Sequence, residues 1–153
     1  SPGGALFVQA RVGRLERPFA CYKFRTMAHG APVAGSHEVG AGWVTPIGKR
    51  LRSLKLDELP QLFNVLRGDM SLVGPRPCLP NQAEVIAARR ARGVFAIRPG
   101  ITGVAQLAAI DMSTPQQLAE ADCRYMHCRS FFGDLRIIVA TVLGAGTGDA
   151  LKG

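Results

Sequence analysis

Three prolines within seven residues fix one stretch of this chain before anything folds around it. Gly74, Pro75, Arg76, Pro77, Cys78, Leu79 and Pro80 follow one another. Each proline ring holds φ near about −65°, removes a backbone donor and disfavours helix in the preceding residue, so this run cannot be helical. Arg76 is clamped between two such rings, and the backbone therefore sets where its guanidinium points. Upstream stands a second string, Leu56-Asp57-Glu58-Leu59-Pro60-Gln61-Leu62, with adjacent carboxylates just before a helix start. Carboxylates can attack phosphorus or hold a magnesium ion, and arginine can grip phosphate oxygens meanwhile. The two strings together point to phosphate chemistry.

The remaining chain divides into short elements. Residues 5–11 and 19–26 read as strands, and the turn-rich piece between them predicts a hairpin. Side chains alternate along a strand, which puts Lys23 and Arg25 on one face. Residues 28–42 are glycine-rich and read as a loop. Thr45-Pro46 is a helix-start signal, opening a basic helix through Lys49, Arg50 and Arg52. The next helix is expected to begin near Asp57, carry Pro60 in its first turn and stop at Gly68. That would set the acidic pair at the positive end of a helix dipole. Asn81 and Glu84 have the spacing of a capping pair for a helix running to about Arg92. Arg98-Pro99-Gly100-Ile101-Thr102-Gly103 reads as a rigid loop carrying one arginine. Thr114-Pro115 starts a helix that reaches His127, and Ser130 or Phe131 opens a last one. Residues 137–145 read as a packed helix, far short of the roughly 20 apolar residues that a membrane span requires.

A chain of 153 residues, 47% hydrophobic, is enough for one core and argues against wholesale disorder. The formal net charge is +8, and most of the nineteen basic residues are arginines. That balance suits an anionic partner, and arginine favours two-pronged grips on phosphate. Cys21, Cys78, Cys123 and Cys128 complete no zinc pattern and read as reduced thiols. His29, His37 and His127 form no ligand pattern either.

On composition alone, Asp57 and Glu58 would be ordinary helix-cap acids. Their neighbours change the reading: a basic helix ends immediately before them, and proline-flanked arginines follow. Adjacent side chains on a helix diverge by about 100°, so the pair cannot do one job together. Division of labour is the inference: one carboxylate attacks and the other holds a metal.

Four motifs now stand in order: residues 23–27 (Lys23, Phe24, Arg25, Thr26, Met27), residues 56–65, residues 68–77 and residues 98–106. In order and spacing the chain resembles the bacterial sugar transferases, the monotopic phosphoglycosyl transferases also called undecaprenyl-phosphate sugar phosphotransferases. The likeness extends to residues 131–138 and covers nearly the whole chain. It implies a two-step transfer. Asp57 matches the nucleophile that attacks the sugar-bearing phosphate of a UDP-sugar and expels UMP; polyprenyl phosphate then takes the phosphosugar. Glu58 matches the acidic neighbour tied to Mg2+. Arg76 and Arg98 match positions associated with phosphate or nucleotide binding, with Arg52 a further member and Lys23 and Arg25 weaker ones.

The expected fold is therefore a single α/β catalytic domain over residues 1–153. It would hold a small antiparallel β element and several helices, some amphipathic and membrane-facing. The resemblance also implies a re-entrant membrane helix ahead of the first strand, absent from this sequence, and a place on the cytoplasmic face of the bacterial inner membrane. Departures are specific. The segment 107–113 lacks the Asn-Gly-Arg run of many members, which bears on sugar specificity, and the loop after Met27 lacks a nearby acidic residue. Docking to an anionic membrane surface is expected, through Lys49, Arg50 and Arg52 and through Arg89, Arg90 and Arg92. Two rival readings are a basic nucleic-acid-binding module and a catalytically silent scaffold of a polysaccharide assembly complex. The aromatics are not interleaved with basic residues, so no nucleic acid is expected as a partner, and the intact acidic pair argues against the scaffold.

Overall fold

Alternating side chains and a tight turn build the first unit, an antiparallel hairpin of β1 (Leu6–Val12) and β2 (Pro18–Phe24). Its register runs from Leu6↔Phe24 to Val12↔Pro18, so Pro18 sits at the strand start where a missing donor costs little. The computed structural model describes residues 4–28, 30–31 and 41–145. Most of the loop expected at 28–42, with His29 and His37, lies outside them.

Helix α1 (Pro46–Ser53) begins as the sequence predicts: the Thr45 hydroxyl accepts from the Gly48 N–H at 3.0 Å. Gly48 lies directly on the backbone of Thr26, where a side chain would not fit, and this contact sets α1 against the end of β2. The helix expected to begin near Asp57 does not. Leu56–Glu58 form a single 3-10 turn, and α2 spans Gln61–Arg67. The reason is local: Lys55 enters the turn in the left-handed region (φ 57°), and Pro60 has no N–H to continue a ladder. Gly68 closes α2 at φ 82°, as expected of a C-terminal glycine.

A segment that reads as a loop, 98–103, instead supplies a short strand, β4 (Gly100–Thr102), which pairs in parallel with β3 (Ser71–Val73), a stretch to which the sequence assigns no element. Their approach depends on glycine: a side chain on Gly100 would strike the backbone of Gly74, and one on Gly103 the Gly74 carbonyl. Helix α3 (Ala83–Ala91) packs on α5 (Pro115–Cys128), with α4 (Val104–Leu107) beside α5. Val12, Cys78, Val85, Ala105 and Leu118 form the core between these layers. The capping pair expected at Asn81 and Glu84 is not formed. Gln82 precedes α3 instead, and its Oε1 accepts from the Leu79 N–H at 2.8 Å, which joins the helix to the proline-rich run.

Helix α6 (Phe131–Val142) starts at Ser130, whose hydroxyl accepts from the Gly133 N–H. It is not the packed helix expected at 137–145. None of its residues is buried, and Phe131, Phe132, Leu135, Val139 and Val142 are exposed. Only one side meets the domain, through Thr141 to Thr102 at 2.7 Å and Asp134 to the Tyr125 hydroxyl at 2.9 Å. Among the described residues no helix is long and apolar enough to cross a membrane. The four cysteines are free, and burial pushes the thiols of Cys21 and Cys78 up. The result is one α/β domain with a small antiparallel sheet, as the sequence predicts, plus a parallel pair that it does not.

Candidate active site

Asp57 and Glu58 hang from the 3-10 turn between α1 and α2, and the surrounding chain closes over them. Asp57 is 3% exposed and Glu58 8%. Buried carboxylates need cations or donors close by. Two cations reach Glu58 Oε1: Lys23 Nζ from β2 at 3.2 Å and Arg76 Nη2 at 2.9 Å. A strand residue, a turn residue and a loop residue thus meet at one carboxylate oxygen.

The proline-clamped loop is held from three directions. Val12 N–H donates to the Cys78 carbonyl at 3.0 Å, Arg11 Nη1 to the Pro77 carbonyl at 3.0 Å, and Arg89 Nη1 to the Arg76 carbonyl at 2.8 Å. Arg89 is among the most buried side chains, at 2% exposure, and its Nη2 lies 2.7 Å from Asp122 Oδ2 on α5. An ion pair between two core helices therefore fixes the backbone from which Arg76 reaches Glu58. Asn64 does the same for the acidic turn. Fully buried on α2, it donates to the Ala20 carbonyl at 2.7 Å and accepts from the Tyr22 N–H at 3.1 Å. It ties α2 to β2 beside Lys23.

Neither Arg89 nor Asn64 stands out as a site residue in the sequence. Asn64 had a faint signal, a polar residue inside the apolar run Leu62, Phe63, Val65 and Leu66. Arg89 had none that separated it from Arg90 and Arg92. The structure separates them: Arg89 is internal, Arg90 pairs with Glu16 at 2.6 Å, and Arg92 bonds the Ala88 carbonyl and Gln116. This run is therefore not one basic cluster facing solvent, because its first charge, Arg89, is locked inside the core.

Arg52 approaches from α1, its Nε donating to the Thr26 hydroxyl at 2.9 Å. Its Nη1 is buried with no hydrogen-bond partner among the described residues. An unmet buried donor of this kind costs on the order of 1–3 kcal/mol and is the natural place for a ligand oxygen. Arg25 and Arg98 are not brought to the pair. Arg25 donates to the Gly4 and Leu6 carbonyls and lies over the Phe7 ring, fixing the hairpin end. Arg98 lines a separate polar pocket with Arg14 and Arg129.

Glu58 also lines an open groove of about 390 Å³. Its walls are mostly apolar, with Leu59, Leu62, Leu72 and, from α6, Ile138 and Val142 among the lining residues. Gln106 lines it too, and its Oε1 is buried with no partner among the described residues. The site thus offers carboxylates and cations beside a surface that favours hydrocarbon. No three His, Cys, Asp or Glu side chains gather as a metal cage among the described residues. A neighbouring carboxylate pair does suit magnesium, which takes one or two protein carboxylates and completes its shell with substrate phosphates and water.

The family profile described as "Bacterial sugar transferase" matches residues 1–147. The chain belongs to the bacterial sugar transferase family. It is 41% identical over 136 residues to an uncharacterised sugar transferase, EpsL, of Bacillus subtilis, covering 89% of this chain and 67% of that protein. It is 41% identical over 151 residues to the UDP-glucose:undecaprenyl-phosphate glucose-1-phosphate transferase of Caulobacter vibrioides, covering 93% and 57%. A UDP-N-acetylgalactosamine-undecaprenyl-phosphate N-acetylgalactosaminephosphotransferase of Aeromonas hydrophila is 38% identical over 162 residues, covering 97% and 37%. The chain therefore spans between about a third and two thirds of the length of these relatives. The matched region takes in nearly all of this chain.

Proposed function

We propose that this domain transfers a phosphosugar from a UDP-sugar to undecaprenyl phosphate, through a covalent intermediate on Asp57. One observation carries the reading: a buried acidic pair, its Glu58 gripped by Lys23 and Arg76, opens onto an apolar groove through Glu58. A phosphosugar acceptor on a long hydrocarbon chain needs both features within reach of each other. The names of two relatives, which state transfer of a sugar phosphate involving undecaprenyl phosphate, agree with it.

In the first step an Asp57 carboxylate oxygen attacks the sugar-bearing phosphorus of the donor. A phosphorus–oxygen bond forms, the bond to UMP breaks, and UMP leaves with the electron pair. In the second step a phosphate oxygen of the polyprenyl acceptor attacks the same phosphorus and frees the Asp57 carboxylate. The product is a polyprenyl-diphosphate sugar. Splitting one displacement into two is what a carboxylate nucleophile supplies. Burial of Asp57 keeps water from intercepting the acyl phosphate between steps. Arg76, Lys23 and the unmet Nη1 of Arg52 offer positive charge to the phosphoryl oxygens. Magnesium, held by Glu58, would neutralise charge on the donor diphosphate.

The domain works, in this reading, against the cytoplasmic face of the inner membrane. Exposed Phe63 and Leu66 on α2, and Phe131, Phe132 and Val142 on α6, are the apolar side chains that would meet it. The test is direct. Incubation with UDP-sugars and magnesium, without polyprenyl phosphate, should add a phosphosugar mass to the protein, and Asp57→Asn should not acquire it. An adduct persisting in Asp57→Asn would overturn the assignment of the nucleophile.

A further inference from the structure

Arg14, Arg98 and Arg129 come from three distant parts of the chain and line one polar pocket of about 280 Å³. Ser71 and Val73 of β3, Tyr125 of α5 and Asp134 of α6 also line it. The pocket shares no lining residue with the groove at Glu58, because Leu72 faces that groove while its strand neighbours face this pocket. Three guanidiniums confront a single carboxylate here. Asp134 is moreover engaged by the Tyr125 hydroxyl at 2.9 Å. Burial first, and then the hydrogen bond and charge of Asp134, raise the Tyr125 pKa, so its hydroxyl remains a neutral donor. Arg98 and Arg129 form no hydrogen bond or ion pair among the described residues, and Arg14 uses only its Nε, on the Ala96 carbonyl at 3.0 Å. Three like charges gathered in one concavity with a single carboxylate among them repel one another, and an anion relieves that repulsion.

We propose that this pocket holds the phosphate of an anionic lipid headgroup. Arginine forks match phosphate oxygens. The volume lies at or below the low end for small-molecule sites, which are roughly 300–1,000 Å³, and so suits a headgroup better than a nucleotide sugar. Placement favours a lipid over a free phosphate. Two and three residues beyond Arg129, Phe131 and Phe132 stand 77% and 73% exposed in an edge-to-face pair at the start of apolar α6. Exposed aromatics beside cationic side chains suit the boundary between headgroups and acyl chains. The inference rests on the membrane-surface reading above and assigns that contact to a built pocket, in place of the α1 and α3 basic runs.

The test is co-sedimentation of the chain with vesicles of phosphatidylcholine alone or mixed with phosphatidylglycerol. Arg98→Gln and Arg129→Gln should each lower partitioning onto the mixed vesicles on the order of fivefold. Arg124→Gln, which removes one exposed charge on α5 away from this pocket, should lower it far less. Neither pocket arginine bonds the protein, so both variants should keep the wild-type melting temperature, which confirms that they fold. Equal losses for all three variants would overturn the proposal, because bulk charge would then suffice. Thermal stabilisation by inorganic phosphate that vanishes in Arg98→Gln, with no vesicle preference in the wild type, would overturn the lipid as source. Asp57→Asn should partition as the wild type does, so the adduct assay and the vesicle assay fail independently.

Discussion

Arg89→Met tests how the core and the site are joined. The substitution removes a charge buried to 2% exposure, its contacts with Asp122 at 2.7 and 2.9 Å, and its 2.8 Å hydrogen bond to the Arg76 carbonyl. Methionine fills similar volume, so little cavity cost is added. Breaking a buried ion pair by removing one partner costs about 3–5 kcal/mol. Against a domain stability of about 5–15 kcal/mol that is a large fraction, and it corresponds to a melting decrease of roughly 6–20 °C. Urea unfolding should show the loss as a lowered midpoint with unchanged slope. The pH dependence supplies a second check. Burial raises the pKa of Asp122, and the charge and hydrogen bond of Arg89 oppose that rise. Without Arg89 it should climb further. A raised folded value contributes stability below the unfolded pKa, which is lost as pH rises through the folded one. The deficit of Arg89→Met should therefore be largest near neutral pH and narrow on acidification. Arg89→Met with Asp122→Leu should recover most of the stability, since a buried pair is often replaceable by apolar groups. It should not recover transfer, because the Arg76 carbonyl remains unanchored; a loss of tenfold or more is expected from misplacement alone. A neutral-pH loss under about 1 kcal/mol, or a double variant with full transfer activity, would refute this coupling.

Other substitutions probe other links. Glu58→Gln leaves Lys23 and Arg76 facing a neutral group and should slow adduct formation on the order of a hundredfold even at saturating magnesium, measured by rapid-quench mass analysis. Gly100→Ala forces a methyl group into the Gly74 backbone and should separate β3 from β4, seen as a fall in melting temperature well beyond that of Gly93→Ala. Lys55→Gly relieves a left-handed non-glycine residue ahead of the acidic turn and should hold or raise stability by up to about 1 kcal/mol in urea unfolding. Glu16 is held below the usual carboxylate range by the Arg90 hydrogen bonds, so its contribution is present above pH 4.5 and lost as pH falls through the lowered value; Arg90→Gln should flatten that slope.

What could be read in advance follows from the range of the forces involved. The hairpin, the Thr45 cap, the stop at Gly68 and the start of α6 rest on a few neighbouring residues each, and each was legible. That Glu58 and Arg76 belong near one another was suggested by two strings standing close in sequence, but their direct ion pair was not, because the motifs assign the carboxylate to a metal and the arginine to phosphates. The β3–β4 pair was not legible: three residues per strand give no periodicity, and the pairing depends on glycines from separate segments touching. The acidic pair was placed on a helix because Pro60 suits a first turn, but the left-handed backbone at Lys55 is a tertiary choice that no lysine announces. Arg98 shares with Arg76 the Arg-Pro signature, and identical local chemistry gave no hint that the fold would separate them.

The arginines show why a charge total says little about a partner. A net +8 suggests a basic surface, and on that basis alone nucleic acid or lipid would serve equally. The fold distributes those charges among different tasks. Arg89 is inside the core, Arg25 and Arg11 bond backbone carbonyls, and Arg90 is paired with Glu16. Arg76 faces Glu58, and Arg52 keeps one buried donor unmet beside the same turn. Arg98 and Arg129 line a pocket with Arg14 elsewhere. Groups engaged by the protein offer little counter-ion release to a polyanion, whereas unmet donors at defined points select a ligand that carries phosphates at those points. Activity at the carboxylates and partitioning onto anionic vesicles should therefore depend on different arginines, and the salt dependence of each should follow its own set rather than the total.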